Sequence, residues 1–105
     1  MAPDKLVRDK IPEIISLSGR EPVTHVADDA EYWSRLKDKL LEEVKEFIED
    51  GDEKEELADV FEVLNAIMDF RKLDKSEVEE IRLKKAEKKG GFKEKIVLDK
   101  IISQD

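Results

Sequence analysis

Residues 33–47 read WSRLKDKLLEEVKEF, and residues 52–68 read DEKEELADVFEVLNAIM. In each stretch apolar side chains recur every three or four positions, which is the period of a helix with one buried face. These apolar positions are Trp33, Leu36, Leu40, Val44 and Phe47 in the first stretch, and Leu57, Val60, Phe61, Leu64, Ile67 and Met68 in the second. The pattern predicts two amphipathic helices that pack along an apolar seam.

Polar residues and a glycine set the expected ends of both helices. Asp28 or Asp29 is suited to cap the first helix, which should run to about Asp50. Gly51 should end that helix, and Asp52 is suited to cap the second. Because the connection between them is so short, the two helices are expected to form an antiparallel hairpin.

Two shorter helical elements are expected outside this hairpin. A helical turn should follow Pro12 and reach Leu17, since proline is well placed at a helix start. A further helix should begin with Asp74 or Ser76 as its cap and end at Gly90. Helices therefore account for most of the chain.

The fold class follows from these elements. Residues 22–26 and 95–98 have strand-like composition and could pair as a minor two-stranded ribbon beside the helices. With 105 residues, the chain is expected to form a single domain over residues 1–105. We expect an all-α fold, an antiparallel helical bundle that is completed by oligomerisation.

Composition excludes several classes of partner. The net charge of −8 argues against binding a nucleic acid polymer, because no basic face of the required size is evident. The chain has no cysteine, so it has neither disulfides nor thiolate metal sites. No apolar run approaches the length of a membrane span, and charges interrupt the amino terminus, so neither membrane insertion nor a signal peptide is expected. We expect a cytoplasmic protein.

Two pairs of carboxylates lie beside the predicted seam. Glu43 and Glu46 stand three residues apart on the first helix, and Glu56 and Asp59 do so on the second, so each pair shares a face. An antiparallel hairpin could bring all four acids to one edge. Neither Lys39 nor Lys45 is expected to project into that notch. In a glutamate-rich chain such pairs also arise on solvated faces, but two pairs in consecutive helices favour a metal site.

The ligand type indicates which metal and which chemistry to expect. Carboxylates without thiols or imidazoles favour hard cations, so Mg²⁺ is expected, with Mn²⁺ as the alternative. His25 is the single histidine and is remote in sequence from both acidic pairs. Magnesium held by carboxylates commonly binds phosphate oxygens. An outer carboxylate, Glu42, Glu55 or Glu62, could take the proton from a water that attacks phosphorus.

Basic residues could hold a polyphosphate near such a site. Lys85 and Lys89 are four residues apart in the dense positive run 82–89 and share a face. Their alternative is an ordinary basic helix end before a glycine cap. Arg8 and Lys10 add two cations near the amino terminus, in a segment that could fold over the same site.

Together these segments resemble the MazG-like, all-α nucleoside triphosphate pyrophosphohydrolases, a superfamily that includes phosphoribosyl-ATP pyrophosphohydrolase and dimeric dUTPases. The resemblance rests on Glu-Glu-x-x-Glu at residues 42–46 and Glu-x-x-Asp at residues 56–59, and it extends to LVRDKIP at residues 6–12 and KGGF at residues 89–92. It implies that Mg²⁺ is bound by Glu43, Glu46, Glu56 and Asp59.

The resemblance also implies a reaction and an assembly. The substrate would be cut between its α and β phosphates, and Lys85 and Lys89 would hold phosphates, although the family commonly has arginine at the position of Lys89. Family members form dimers or tetramers, so a homodimer or homotetramer is expected.

We therefore expect a nucleotide pyrophosphohydrolase of the house-cleaning kind. Glu42 or Glu55 would assist the attacking water, and Arg8, Lys10, Lys85 and Lys89 would bind the phosphates. Two alternatives stay open at this point: phosphoribosyl-ATP pyrophosphohydrolase, and a non-catalytic helical dimerisation module. The sequence does not indicate the base or sugar of the substrate.

Overall fold

The computed structural model describes residues 4–49 and 51–103. The protein is all-α, as predicted, and its helices are α1 (Ile11–Leu17), α2 (Asp29–Glu49), α3 (Glu53–Phe70) and α4 (Lys75–Lys89). The chain divides into two compact units, Met1–Lys72 and Leu73–Asp105. The first unit contains α1 and the α2/α3 hairpin, and the second contains α4.

Aspartate side chains start three of these helices. Asp28 Oδ1 accepts a hydrogen bond of 2.8 Å from the backbone N–H of Glu31 at the start of α2. Asp52 Oδ1 accepts one of 2.9 Å from the N–H of Lys54, and Asp74 Oδ1 accepts one of 2.9 Å from the N–H of Ser76. Each bond satisfies a donor that has no partner inside its helix. The predicted caps are confirmed.

The helix ends also agree with the sequence. Gly90 follows α4 with a φ of 87°, a conformation that glycine adopts without strain. Helix α2 is described to Glu49, and Asp50, where its end was predicted, lies outside the described residues. Local signals therefore defined these helices well.

The predicted ribbon is wrong. Residues 22–26 and 95–98 are described, and neither segment forms a strand. Their valine, isoleucine and leucine side chains are solvent-exposed, from 73% for Leu98 to 98% for Val26. Strand-like composition reflects a fit to a pleated, half-buried surface, and these two segments have no such surface around them.

The hairpin core is smaller than the predicted seam. Helices α2 and α3 pack on each other, and the buried apolar side chains of the described residues are Leu36 and Val63, at 2% and 7% exposure. Val63 is absent from the predicted stripe, whereas Phe61 of that stripe is 68% exposed. One helix partner covers only part of an apolar face, so a wide stripe stays open to solvent.

An amino-terminal strap, residues 4–10, is tied to both helices of the hairpin by ion pairs. Arg35 donates to the carbonyl and the carboxylate of Asp4 at 2.8 and 3.0 Å. Lys5 Nζ lies 3.1 Å from Glu42, and Arg8 donates to Asp59 Oδ1 at 2.8 Å. The strap therefore brings basic side chains to the same edge of α2 and α3 that carries the acidic motifs.

Candidate metal centre and adjoining cavity

Three carboxylates converge where the two acidic motifs face each other. Glu43 and Glu46 come from successive turns of α2, and Glu56 comes from the first turns of α3. Each contributes one oxygen to a group in which all the oxygens lie within 4.8 Å of one another. Glu43 is buried, Glu56 is half-buried and Glu46 is exposed. The structure thus brings together three of the four predicted ligands.

Two oxygens of these three carboxylates lack a hydrogen-bond partner. Glu43 Oε2 and Glu56 Oε2 are both shielded from solvent, and neither accepts a hydrogen bond from any described residue. Glu43 is only 6% exposed, so its unpartnered oxygen carries a substantial desolvation penalty. A cation bound between the carboxylates would compensate for this penalty. The donor set, all carboxylate, fits a hard divalent ion such as Mg²⁺ or Mn²⁺.

The electrostatics of Glu43 agree with a site that needs a cation. Burial raises the pKa of Glu43 above its ordinary value, and the neighbouring charge of Glu46 raises it further. Asp59 also raises this pKa, whereas Lys39 acts in the opposite direction. The carboxylate form of Glu43 is therefore less favourable in the metal-free fold than in an exposed glutamate, and positive charge would stabilise it.

Asp59 stands beside the three-carboxylate group without belonging to it. Its Oδ1 accepts a hydrogen bond of 2.8 Å from Arg8, and its side chain is 37% exposed. Asp59 nevertheless lines the same cavity as Glu43 and interacts with it electrostatically. The predicted fourth ligand is thus close at hand but paired with an arginine of the strap.

The prediction that Lys39 does not project into the acidic notch is wrong. Its Nζ lies 3.4 Å from Glu43 Oε1 and 3.2 Å from Glu42 Oε2, so it does project toward the acidic site. The reason is helical spacing, because Lys39 precedes Glu43 by four residues and stacks on it from the preceding turn. This four-residue spacing is visible in the sequence, on the amino-terminal side of the acidic motif of α2. Lys45 instead pairs with Glu49, at 3.9 Å.

The two predicted proton acceptors have different surroundings. Burial alone would raise the pKa of Glu42, but hydrogen bonds from Lys5 and Lys39 outweigh it, and the net pKa is lowered. Glu55 is exposed in the first turn of α3, where its backbone N–H donates to Asp52. Their assignment as catalytic residues stays a prediction. Glu62, the third outer carboxylate, lines the cavity with Glu43.

A cavity of about 410 Å³ opens beside the carboxylates. Glu43 and Asp59 lie in its wall together with three cations, Arg8, Lys10 and Lys39. The wall also contains two further acids, Asp9 and Glu62. It is completed by apolar side chains, Leu6, Leu36, Val63 and Ala66, with the ring of Tyr32. The predicted phosphate-binding residues Arg8 and Lys10 are therefore adjacent to predicted metal ligands, in a space that combines acidic, basic and apolar surfaces.

The other predicted phosphate-binding residues belong to the second unit. Lys85 and Lys89 are exposed on α4, one turn apart. Their contribution to phosphate binding stays a prediction. His25, which was set aside as a ligand, is exposed, and its Nε2 lies 3.0 Å from Glu31.

The absence of a side chain at Gly51 leaves room for the carboxylate of Glu56. Gly51 has a φ of +121°, and a Cβ added to it would lie 2.8 Å from Glu56 Oε1. We expect Gly51→Ala to lower the free energy of unfolding by about 1–3 kcal/mol through backbone strain. We also expect it to weaken Mg²⁺ binding, because Glu56 must move. Chemical denaturation followed by Trp33 fluorescence, with and without Mg²⁺, measures both effects.

Gly19→Ala is the matched control for this prediction. Gly19 also has a positive φ, +88°, but no atom lies within 4 Å of an added Cβ. The Gly19→Ala variant should therefore be less stable than wild type, but Mg²⁺ should stabilise it as much as it stabilises wild type. Equal responses of the two variants to Mg²⁺ would show that Gly51 has no special role beside Glu56.

Comparisons with known proteins give one relative and no family. The chain is 57% identical over 42 residues to an uncharacterised protein of Mycolicibacterium smegmatis, a stretch that is 40% of this chain and 43% of that one. No protein-family model and no solved structure matches the chain. Among the described residues, no helix has the length and apolar character needed to cross a membrane.

Proposed function

We propose that this protein hydrolyses a nucleoside triphosphate, or a related nucleotide, between its α and β phosphates to a nucleoside monophosphate and pyrophosphate, with Mg²⁺ as the cofactor. The observation that carries the proposal is Glu43, a buried carboxylate with an unpartnered oxygen, grouped with Glu46 and Glu56. A cavity that also contains basic side chains adjoins it. The motif resemblance supports the same chemistry, and the absence of cysteine suits a cytoplasmic enzyme.

In this proposal the acidic residues of the site bind the metal and the basic residues bind phosphate. Glu43, Glu46 and Glu56 hold the divalent ion, and Asp59 joins them as the fourth carboxylate once it separates from Arg8. The ion supplies positive charge that neutralises phosphate oxygens and makes a nearby water more acidic. Arg8, when it separates from Asp59, supplies a planar set of donors that fits phosphate oxygens.

The remaining cations and outer carboxylates complete the proposal. Lys10, in the cavity wall, binds the rest of the polyphosphate, and phosphate binding by Lys85 and Lys89 stays a prediction from the motif resemblance. Glu42 or Glu55 takes the proton from the attacking water. Glu42 is restrained by Lys5 and Lys39, which lower its pKa, so it is a weaker base than an ordinary glutamate until those lysines are engaged elsewhere.

A phosphorus NMR assay tests the reaction. The protein is incubated with Mg²⁺ and a panel of nucleoside triphosphates, together with phosphoribosyl-ATP. Pyrophosphate and a monophosphate are the expected products. Orthophosphate as the first product would contradict the proposed bond, and no turnover of any substrate would favour the non-catalytic dimerisation module.

We also infer that the enzyme is a homodimer formed through an outer apolar face of the hairpin. This outer face consists of Leu41, Val44 and Ile48 on α2 and Leu57, Phe61 and Leu64 on α3, all exposed. Within each helix these positions share one face, and in an antiparallel hairpin both faces turn to the same side. A second copy presents an identical face, so two hairpins can close into a four-helix bundle.

Phe61→Asp tests the dimer. Phe61 is 68% exposed in the outer face, and a charge there would be buried unpaired between two copies. Light scattering coupled to gel filtration should show the mass fall from twice 12.2 kDa to 12.2 kDa. Val23→Asp is the control, since Val23 is 93% exposed outside the helices and should leave the dimer intact. A monomeric wild-type protein would contradict the inference.

A further inference from the structure

Two of the carboxylates proposed to bind the metal already have a positive partner in the chain. Lys39 Nζ lies 3.4 Å from Glu43 Oε1, and Arg8 donates to Asp59 Oδ1 at 2.8 Å. Both cations line the cavity that adjoins the acidic group. The metal-free site is therefore partly neutralised by its own side chains, and a divalent ion has to compete with them.

Lys39 is the more informative of the two cations. Its side chain is only 16% exposed, and it contacts Glu42 at 3.2 Å as well as Glu43. Such a position is enclosed for a lysine, which normally keeps its ammonium group in water. Glu42 is itself paired with Lys5 at 3.1 Å, so it can retain a positive neighbour if Lys39 shifts.

A divalent ion beside Glu43 changes the environment of Lys39. The ion carries two positive charges and takes over the neutralisation of the carboxylate, so an ammonium group a few ångströms away is repelled. The lysine stem is flexible and the cavity adjoins it, so the displaced ammonium can turn into the cavity. An anion placed there, such as the phosphate chain of the proposed substrate, would then attract it.

We propose that Lys39 is a phosphate-binding residue that neutralises Glu43 until a divalent cation displaces it into the cavity. This inference rests on the proposed function and adds a coupling to it. Mg²⁺ releases Lys39 for the polyphosphate, and the polyphosphate in turn removes a competitor from the metal site. Each ligand therefore strengthens the binding of the other by the same factor, as linkage requires.

Calorimetry on the full-length protein tests the coupling with two probes, Mg²⁺ alone and inorganic pyrophosphate at saturating Mg²⁺. The variant Lys39→Met removes the charge and keeps much of the apolar stem. We expect it to bind Mg²⁺ alone about tenfold more tightly, because one repelling charge is gone. We expect it to bind pyrophosphate about tenfold more weakly, because one phosphate contact is lost.

Three further variants make the result specific. Lys39→Gln should behave like Lys39→Met, and it serves if the methionine variant does not fold. Lys39→Arg keeps the charge and should stay within about threefold of wild type for both probes. Lys45→Met removes an exposed lysine of the same helix, paired with Glu49 at 3.9 Å, and should change neither affinity.

The outcomes separate this inference from the proposed function. Wild-type protein that binds Mg²⁺, combined with neutral Lys39 variants whose Mg²⁺ affinity is unchanged or weaker, would overturn the role of Lys39 alone. Unchanged pyrophosphate affinity in those variants would also overturn it. Wild-type protein that takes up no Mg²⁺ would overturn the metal-dependent function itself, and the inference with it.

Discussion

Glu43→Gln protein is expected to release pyrophosphate from nucleoside triphosphates on the order of a thousandfold more slowly than wild type, a loss of about 4 kcal/mol in transition-state stabilisation. Glutamine has nearly the same shape but no charge, so it cannot neutralise a divalent ion. Glu43 is the buried member of the carboxylate group and has an unpartnered oxygen, which makes it the ligand with the least freedom to be replaced by water. Initial rates at saturating Mg²⁺ measure the loss.

The same substitution should stabilise the metal-free protein, by about 1 kcal/mol. A buried carboxylate whose charged form is disfavoured is replaced by a neutral amide. Glu49→Gln is the matched control, since Glu49 is exposed on the same helix and pairs with Lys45 at 3.9 Å. It should alter neither rate nor stability appreciably. A Glu43→Gln enzyme that retains a tenth of the wild-type rate would contradict the assignment of Glu43.

Mg²⁺ is expected to stabilise the folded protein strongly. A ligand that binds only the native state adds about 2.7 kcal/mol at a concentration one hundred times its Kd. For a chain of this size that corresponds to an increase in Tm of roughly 10–20 °C. Thermal unfolding can be followed through Trp33, the single tryptophan, which stacks on Phe70 with ring centroids 6.0 Å apart.

The shifted pKa values of two carboxylates decide how the stability of the folded protein changes with pH. Burial, followed by the charge of Glu46, raises the pKa of Glu43 above its ordinary 4.5. As pH rises from 4.5 through that raised pKa, the unfolded chain loses this proton before the folded chain does. The metal-free fold therefore loses stability over this window. Mg²⁺ requires the deprotonated carboxylate, so the stability gained from Mg²⁺ should grow over the same window.

Glu42 makes stability change with pH in the opposite direction, and it does so in a lower pH range. Hydrogen bonds from Lys5 and Lys39 outweigh the effect of burial, so the pKa of Glu42 lies below its ordinary 4.5. The stability that Glu42 contributes is fully present above pH 4.5, and it is lost as the pH falls through the lowered pKa. Denaturation curves from pH 3 to 8, with Mg²⁺ or with a chelator, separate the two slopes. A gain from Mg²⁺ that does not change between pH 4.5 and 8 would contradict the role of Glu43.

Local features of the sequence were enough to predict the helices. Asp52 and Asp74 cap helices within two or three residues of themselves, and Gly90 ends one, so the physical cause and its effect are neighbours in the chain. The pairing of the acids by helical spacing is local in the same sense. The meeting of Glu43 and Glu46 with Glu56 needed only the additional assumption of a short hairpin.

Features that depend on distant contacts could not be predicted. Arg8 pairs with Asp59 across 51 positions, and Lys5 pairs with Glu42 across 37, so no sequence period reveals them. The apolar stripe of α3 was assigned to one seam, but Val63 is buried while Phe61 is exposed, because burial depends on which neighbour is present. Lys39 was a missed local signal, since its spacing to Glu43 was visible.

Anomalous scattering from crystals grown with Mn²⁺ tests the carboxylate site most directly, because it locates the ion rather than its effects. The account predicts an anomalous peak among Glu43, Glu46 and Glu56, with Asp59 turned toward it, and no peak there in crystals of Glu43→Gln. Wild-type crystals that contain Mn²⁺ only elsewhere on the surface, with these carboxylates unliganded, would contradict the account.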